Sequence, residues 1–139
     1  FPAPEEILAQ SIEELRAVGL SRPKAGYIQD LASRVHDGSI SFEDLDSMSN
    51  EQIIENLTIV KGIGGWTVHM FLMFAMGRLN VLATGDLGVR NALTELYKFD
   101  HVVKDAEMYE LSEINHWHPY ESLVCWYAWA SLDNAPALS

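Results

Sequence analysis

Apolar positions recur along this chain at helical spacing, and polar start and stop signals separate the runs. Pro4 suits a first helical position, and Glu5-Glu6-Ile7-Leu8 continues from it. Ser11-Ile12-Glu13-Glu14 is a capping-box pattern, with Gly19 placed to close the short helix behind it. Ser21 can cap a helix whose apolar positions Ala25, Ile28, Leu31, Ala32 and Val35 keep the helical period, and Gly38 stops it. Ser49-Asn50-Glu51-Gln52 is a second capping box, opening a helix with Ile53, Ile54 and Leu57. Trp66 to Met76 is apolar nearly all round, which predicts a buried central helix ended by Gly77. Asp86 can cap a helix reaching about Tyr97. A polar stretch follows, then a last helix from Pro119 to about Ser131. No run alternates with period two, so the pattern predicts an all-α chain forming one domain over residues 1–139.

The segment that pattern alone does not explain is Lys61-Gly62-Ile63-Gly64-Gly65, which joins two helices with almost no room. Glycine permits positive φ and lets another backbone come close. Successive N–H groups at the start of the Trp66 helix form an anion site, helped by the helix dipole. Ile63 is placed to turn inward and pin the hairpin. The carbonyls of Thr58, Val60 and Ile63 can curl around a monovalent cation, Na⁺ or K⁺, that also touches a phosphate. A glycine-rich helix turn with no ligand has the same composition. The capped helix before it and the apolar helix after it favour the phosphate reading.

Composition narrows the classes. The chain has 139 residues, 48% of them hydrophobic and 10% aromatic, which suits a folded core rather than disorder. The longest apolar stretch, Met70 to Met76, is too short to span a bilayer, and no signal peptide is visible. Cys125 is the single cysteine, so no internal disulfide and no iron–sulfur cluster can form. An intracellular protein is expected: cytoplasm or nucleoid in a prokaryote, nucleus in a eukaryote. The formal net charge of −11 opposes a polyphosphate partner at first sight. Between Asn56 and Phe99, however, Lys61, Arg78, Arg90 and Lys98 face only Asp86 and Glu95. The hairpin region is the net-positive part of an acidic molecule.

Val60-Lys61-Gly62-Ile63-Gly64-Gly65-Trp66-Thr67, with Gly85-Asp86-Leu87-Gly88-Val89-Arg90, resembles the helix-hairpin-helix DNA glycosylase superfamily, in its alkylbase (3-methyladenine DNA glycosylase II-like) branch. Gly19-Leu20-Ser21-Arg22-Pro23-Lys24, Trp117-His118-Pro119-Tyr120 and Trp126-Tyr127-Ala128-Trp129 fit the same branch, so the likeness runs over nearly the whole chain. It places the hairpin at 57–76 and the catalytic segment at 83–97.

The resemblance implies base excision on double-stranded DNA carrying alkylated bases. An alkylated purine (3-methyladenine or 7-methylguanine type) is flipped out and its N-glycosidic bond hydrolysed. Asp86 matches the family's essential aspartate, which stabilises an oxocarbenium-like sugar or orients the attacking water. A simple N-cap is the other role open to Asp86, and the two are compatible. Lys61, Gly62, Ile63, Gly64, Gly65 and Thr67 match the hairpin that grips the DNA phosphate. Trp66 stands where lyase members carry a Schiff-base lysine, which implies a monofunctional enzyme with no cofactor requirement.

For the base pocket, Trp129 matches a tryptophan that stacks on the flipped base, and Trp66 and Met70 complete the expected wall. Met70 replaces a tyrosine of some relatives. Trp126 is open between core and pocket, while Trp117 and Tyr120 read as core or surface anchors. His116 and His118 lack the company a metal needs and read as solvated; His69 reads as a satisfied core group.

Three departures stand out. Relatives have a proline near Ala83 and an arginine near Glu121, whose replacement is expected to add acid near the DNA side. They also carry a preceding helical segment with a glutamine-rich helix, one pocket wall and a wedge side chain. The expectation is therefore a domain incomplete at its N-terminus, completed by that segment, a second polypeptide or a homodimer mate. A non-catalytic helix-hairpin-helix DNA-binding module is the alternative, and an acidic protein–protein adaptor is favoured by charge alone.

Overall fold

The computed structural model describes residues 2–133, and every regular element among them is helical. The helices are α1 (Pro4–Leu8), α2 (Ile12–Ala17), α3 (Arg22–His36), α4 (Asn50–Thr58), α5 (Gly65–Met70), α6 (Leu87–Leu96), α7 (Asp105–Ile114) and α8 (Glu121–Asp133). A 3₁₀ turn covers Leu45–Ser47, and a π turn, Phe71–Ala75, follows α5. The chain divides into two compact units, Phe1–Val68 and His69–Ser139.

In the first unit the cap signals act as the sequence predicts. The hydroxyls of Ser11, Ser21 and Ser49 accept from the N–H groups of Glu14, Lys24 and Gln52. Gly19 and Gly38 end their segments with positive φ. Helices α1 and α2 both pack on α3. The His36 ring meets Glu5 at 2.9 Å, and the Gln29 amide donates to the Gln10 carbonyl at 2.7 Å. The core is Leu15, Ala25, Ala32, Ile40, Leu45, Ile53, Leu57, Val60 and Val68, all buried.

In the second unit α6 packs on α8. Its buried residues include Leu72, Val89, Ala92, Leu93, Val103, Met108, Cys125 and Ala128. Three expectations need correction. The Trp66–Met76 segment is not a uniformly buried helix. It leaves the α geometry after Met70, and the Met76 N–H reaches back to the Phe71 carbonyl at 3.1 Å. Trp66 and Phe74 are more than half exposed. The apolar surround therefore does not coincide with a buried surround: Val68, Leu72 and Met73 face inward, and the other residues do not all follow. The polar stretch before the last helix also contains α7. Its start is held by the Glu107 carboxylate, which accepts from the Lys104 N–H at 2.7 Å, with Met108 and Ser112 buried one turn apart. The last helix begins at Glu121, two residues later than expected.

Candidate functional site

The hairpin is built by α3. Gly62 has φ +81°, a left-handed conformation that disfavours any side chain. A Cβ there would also overlap the Tyr27 ring, so the glycine lets α3 and the hairpin backbone touch. The Lys61 N–H donates to Asp30 Oδ2 at 2.9 Å, and the Ile63 N–H to the Val60 carbonyl at 3.1 Å. The Lys61 N–H, aided by Arg34, holds the Asp30 carboxyl below its ordinary range. Val60 is buried beneath the turn and Ile63 is half-buried, while Lys61, Gly62, Gly64, Trp66 and Thr67 are exposed. Gly64 accepts from the Val68 N–H at 3.2 Å, so it stands at the N-cap of α5. An added Cβ at Gly64 or Gly65 meets nothing within 4 Å, which leaves the outer side of the turn open to another backbone.

The carboxylate is built by α6 and α8. Asp86 is the N-cap of α6: its Oδ1 accepts from the Val89 N–H at 2.8 Å. The same oxygen accepts from the Trp129 indole Nε1–H at 2.9 Å. Two donors on one oxygen fix the rotamer of the half-buried side chain. Between them lies Gly88, where a Cβ would sit 3.1 Å from Asp86 Oδ1 and 3.2 Å from Trp129 Cδ1.

Helix α8 also holds the irregular segment leading to Asp86. Ser122 Oγ donates to the Arg78 carbonyl at 2.7 Å and accepts from the Val81 N–H at 3.2 Å. The Ala83 N–H donates to Cys125 Sγ at 3.5 Å. Burial pushes the Cys125 thiol up to about 11, so it stays protonated as a packing and hydrogen-bonding group. Ser122, Cys125 and Trp129 share one helical face, and each fastens a successive part of the segment. A proline at Ala83 would lack the N–H that Cys125 accepts, which rationalises that departure.

Of the expected pocket residues, Trp66 lies in the first unit, and Met70 and Trp129 lie in the second. Met70 and Trp129 are half-buried. Phe74 stacks on the Trp129 ring with centroids 6.0 Å apart, and Trp126, more than half exposed, is tilted at 6.3 Å from Phe74. Trp117 is half-buried against Tyr97, and Tyr120 is exposed.

Glu121 does not add acid to the surface. It is buried, with Oε1 3.0 Å from His118 Nδ1 and with Oε2 lacking a partner among the described residues. His69 is not a satisfied core group: its buried Nδ1 has no partner among the described residues, and burial pushes its pKa below the ordinary value. His116 and His118 are exposed, and no cluster of three or more metal-ligating side chains occurs among the described residues. No helix among them is long and apolar enough to cross a membrane. Sequence reasoning missed Tyr27, Asp30, Gly88, Ser122 and Cys125. Only the 122–125–129 spacing carries a signal that could have exposed part of this set.

Comparison with known proteins bears on the family. DNA-3-methyladenine glycosylase 1 of Schizosaccharomyces pombe is 36% identical over 130 residues, 93% of this chain and 56% of the relative. The putative DNA-3-methyladenine glycosylase YfjP of Bacillus subtilis is 34% identical over 133 residues, 96% of this chain and 46% of the relative. The chain thus spans about half the length of the curated relatives it matches. Among solved structures, the S. pombe 3-methyladenine DNA glycosylase in complex with abasic DNA superposes with a TM-score of 0.84 at 34% identity, covering 100% of this chain and 67% of that one. A DNA-3-methyladenine glycosidase from Bacillus halodurans superposes with a TM-score of 0.83 at 34% identity, covering 96% and 61%. Residues 1–115 match the family described as HhH-GPD superfamily base excision DNA repair protein. With the helical fold, the hairpin and the capped aspartate already in place, the chain belongs to the HhH-GPD superfamily of base excision DNA repair proteins.

Proposed function

We propose that the protein acts on duplex DNA as a monofunctional glycosylase that removes alkylated purines of the 3-methyladenine and 7-methylguanine type. The observation that carries this reading is the Asp86 carboxylate, fixed at the start of α6 by the Val89 N–H and the Trp129 indole. The relatives named as 3-methyladenine glycosylases support the substrate class. In this reading the hairpin from Lys61 to Thr67 binds a DNA phosphate, and the target base is extruded at a cost of a few kcal/mol. An N-alkylated purine already carries positive charge and leaves readily. The sugar then becomes oxocarbenium-like, and Asp86 stabilises that charge or orients the attacking water. Trp129 and Met70 supply aromatic and apolar surface for the base.

No cofactor takes part. A Na⁺ or K⁺ held by the carbonyls of Thr58, Val60 and Ile63 fits the negative end of α4, whose last residue is Thr58. Its part is to brace the turn and touch the phosphate. The setting is intracellular, where genomic DNA is the substrate.

The deciding experiment is an abasic-site assay on methylated duplex DNA, run beside a salt titration of duplex binding. Release of alkylated base with abasic product supports the reading. Salt-dependent binding without release, when the preceding helical segment is also supplied, favours a non-catalytic helix-hairpin-helix module. Absence of both removes the two DNA readings and leaves the acidic adaptor as the reading to test.

A further inference from the structure

Gly88 is the second residue of α6, a place where alanine is the better helix former. It is not among the glycines with positive φ, so its backbone does not demand glycine. What demands it is space. A Cβ would lie 3.1 Å from Asp86 Oδ1, 3.2 Å from Trp129 Cδ1 and 3.3 Å from Trp129 Nε1. These atoms belong to the two partners of the 2.9 Å indole–carboxylate hydrogen bond. The bare position on α6 and the closeness of α8 to the carboxylate form one matched arrangement.

We propose that Gly88 is a positioning residue: by carrying no side chain it lets the Trp129 indole close on Asp86 and fix the orientation of the carboxylate. The proposal rests on the reading of Asp86 as the catalytic carboxylate. A methyl group at 88 must displace the indole, the carboxylate or both by a few tenths of an ångström. Helix α8 cannot simply withdraw, because Ser122 and Cys125 tie it to the segment before Asp86. Phe74 stacks on one face of the indole. The displacement therefore falls on the 2.9 Å contact. A carboxylate that stabilises a transition state by fixed geometry loses rate when it is moved, whereas duplex binding does not depend on it.

The test is Gly88→Ala in the purified protein, read four ways. The protein is expected to stay folded with a melting temperature near that of the wild type, because the gain in helix propensity offsets the crowding. Duplex affinity and KM stay unchanged. The single-turnover release of 3-methyladenine falls by about 10-fold. The Trp129 indole N–H resonance, assigned by its loss in Trp129→Phe, shifts. A wild-type release rate in a folded Gly88→Ala protein overturns the proposal. So does a slowed rate with an unmoved indole resonance, because the loss then arises elsewhere. If Gly88→Ala fails to fold, the double variant Gly88→Ala with Trp129→Phe, which takes away the indole edge that the added Cβ meets, is expected to recover the fold, and a double variant that also fails to fold overturns the proposal. Asp86→Asn run in parallel keeps the two readings apart. Unimpaired release by that variant refutes the catalytic role of Asp86, while the indole resonance in Gly88→Ala still decides whether Gly88 sets the contact.

Discussion

The Lys61 backbone N–H donates to the Asp30 carboxylate at 2.9 Å, across 31 residues of sequence. One side chain of α3 thereby holds the entrance of the hairpin, and Tyr27, one helical turn earlier, lies against Gly62. The turn owes its shape to this support as well as to its own glycines.

Asp30→Ala is expected to lower the urea midpoint at neutral pH, because the Lys61 N–H loses its acceptor. The pH dependence has a definite sign. The Asp30 carboxyl is held below its ordinary range when folded, so its contribution is present above that range and is lost as pH falls through the lowered value. Urea titrations of both proteins across the acid range should give stabilities that converge as the pH falls.

Gly62→Ala is expected to cost about 2 kcal/mol or more, from left-handed strain together with the overlap on Tyr27. The denaturation midpoint in urea measures it. A midpoint equal to that of the wild type would mean that the turn adopts another conformation in solution.

Gly64→Asp separates folding from binding. Aspartate is a good N-cap and nothing obstructs its Cβ, so the thermal melt should be unaltered or slightly improved. Affinity for undamaged and methylated duplex should fall alike, and the salt slope of binding should drop by about one, because a phosphate contact carries no base information. Unchanged affinity at low salt would show that the hairpin faces away from DNA.

Asp86→Asn is expected to keep damaged-DNA binding and to lose at least ~100-fold in single-turnover excision. Asparagine retains an oxygen that can accept from Val89 and Trp129, so the fold should survive. Excision at the wild-type rate would remove Asp86 from the mechanism.

Trp66 offers no amine for a Schiff base. Borohydride added during turnover should trap no covalent protein–DNA adduct, and the abasic product should stay uncleaved. A trapped species of the summed mass would contradict the monofunctional reading.

Local chemistry was legible in the sequence; distant pairing was not. Ser11, Ser21, Ser49 and Asp86 announce helix starts because a cap bonds within three residues of itself. α7 stayed hidden because Lys104 is no cap former and the reciprocal bond comes from Glu107. The end of α5 stayed hidden because an all-apolar run does not say where a π turn replaces the helix. The hairpin and Asp86 were visible as motifs. Their supports, Tyr27 and Asp30 for one and Trp129 and Gly88 for the other, depend on chain crossings that periodicity does not encode. Glu121 reads as a surface acid by type and is buried by context.

The irregular run from Arg78 to Asp86 takes its order from a single face of α8, through Ser122, Cys125 and Trp129. Fraying of that helix would take the indole donor from the Asp86 carboxylate and leave it only the Val89 N–H. Heat inactivation would then follow the grip of α8 on this run, because the orientation of the carboxylate is lost with the indole contact.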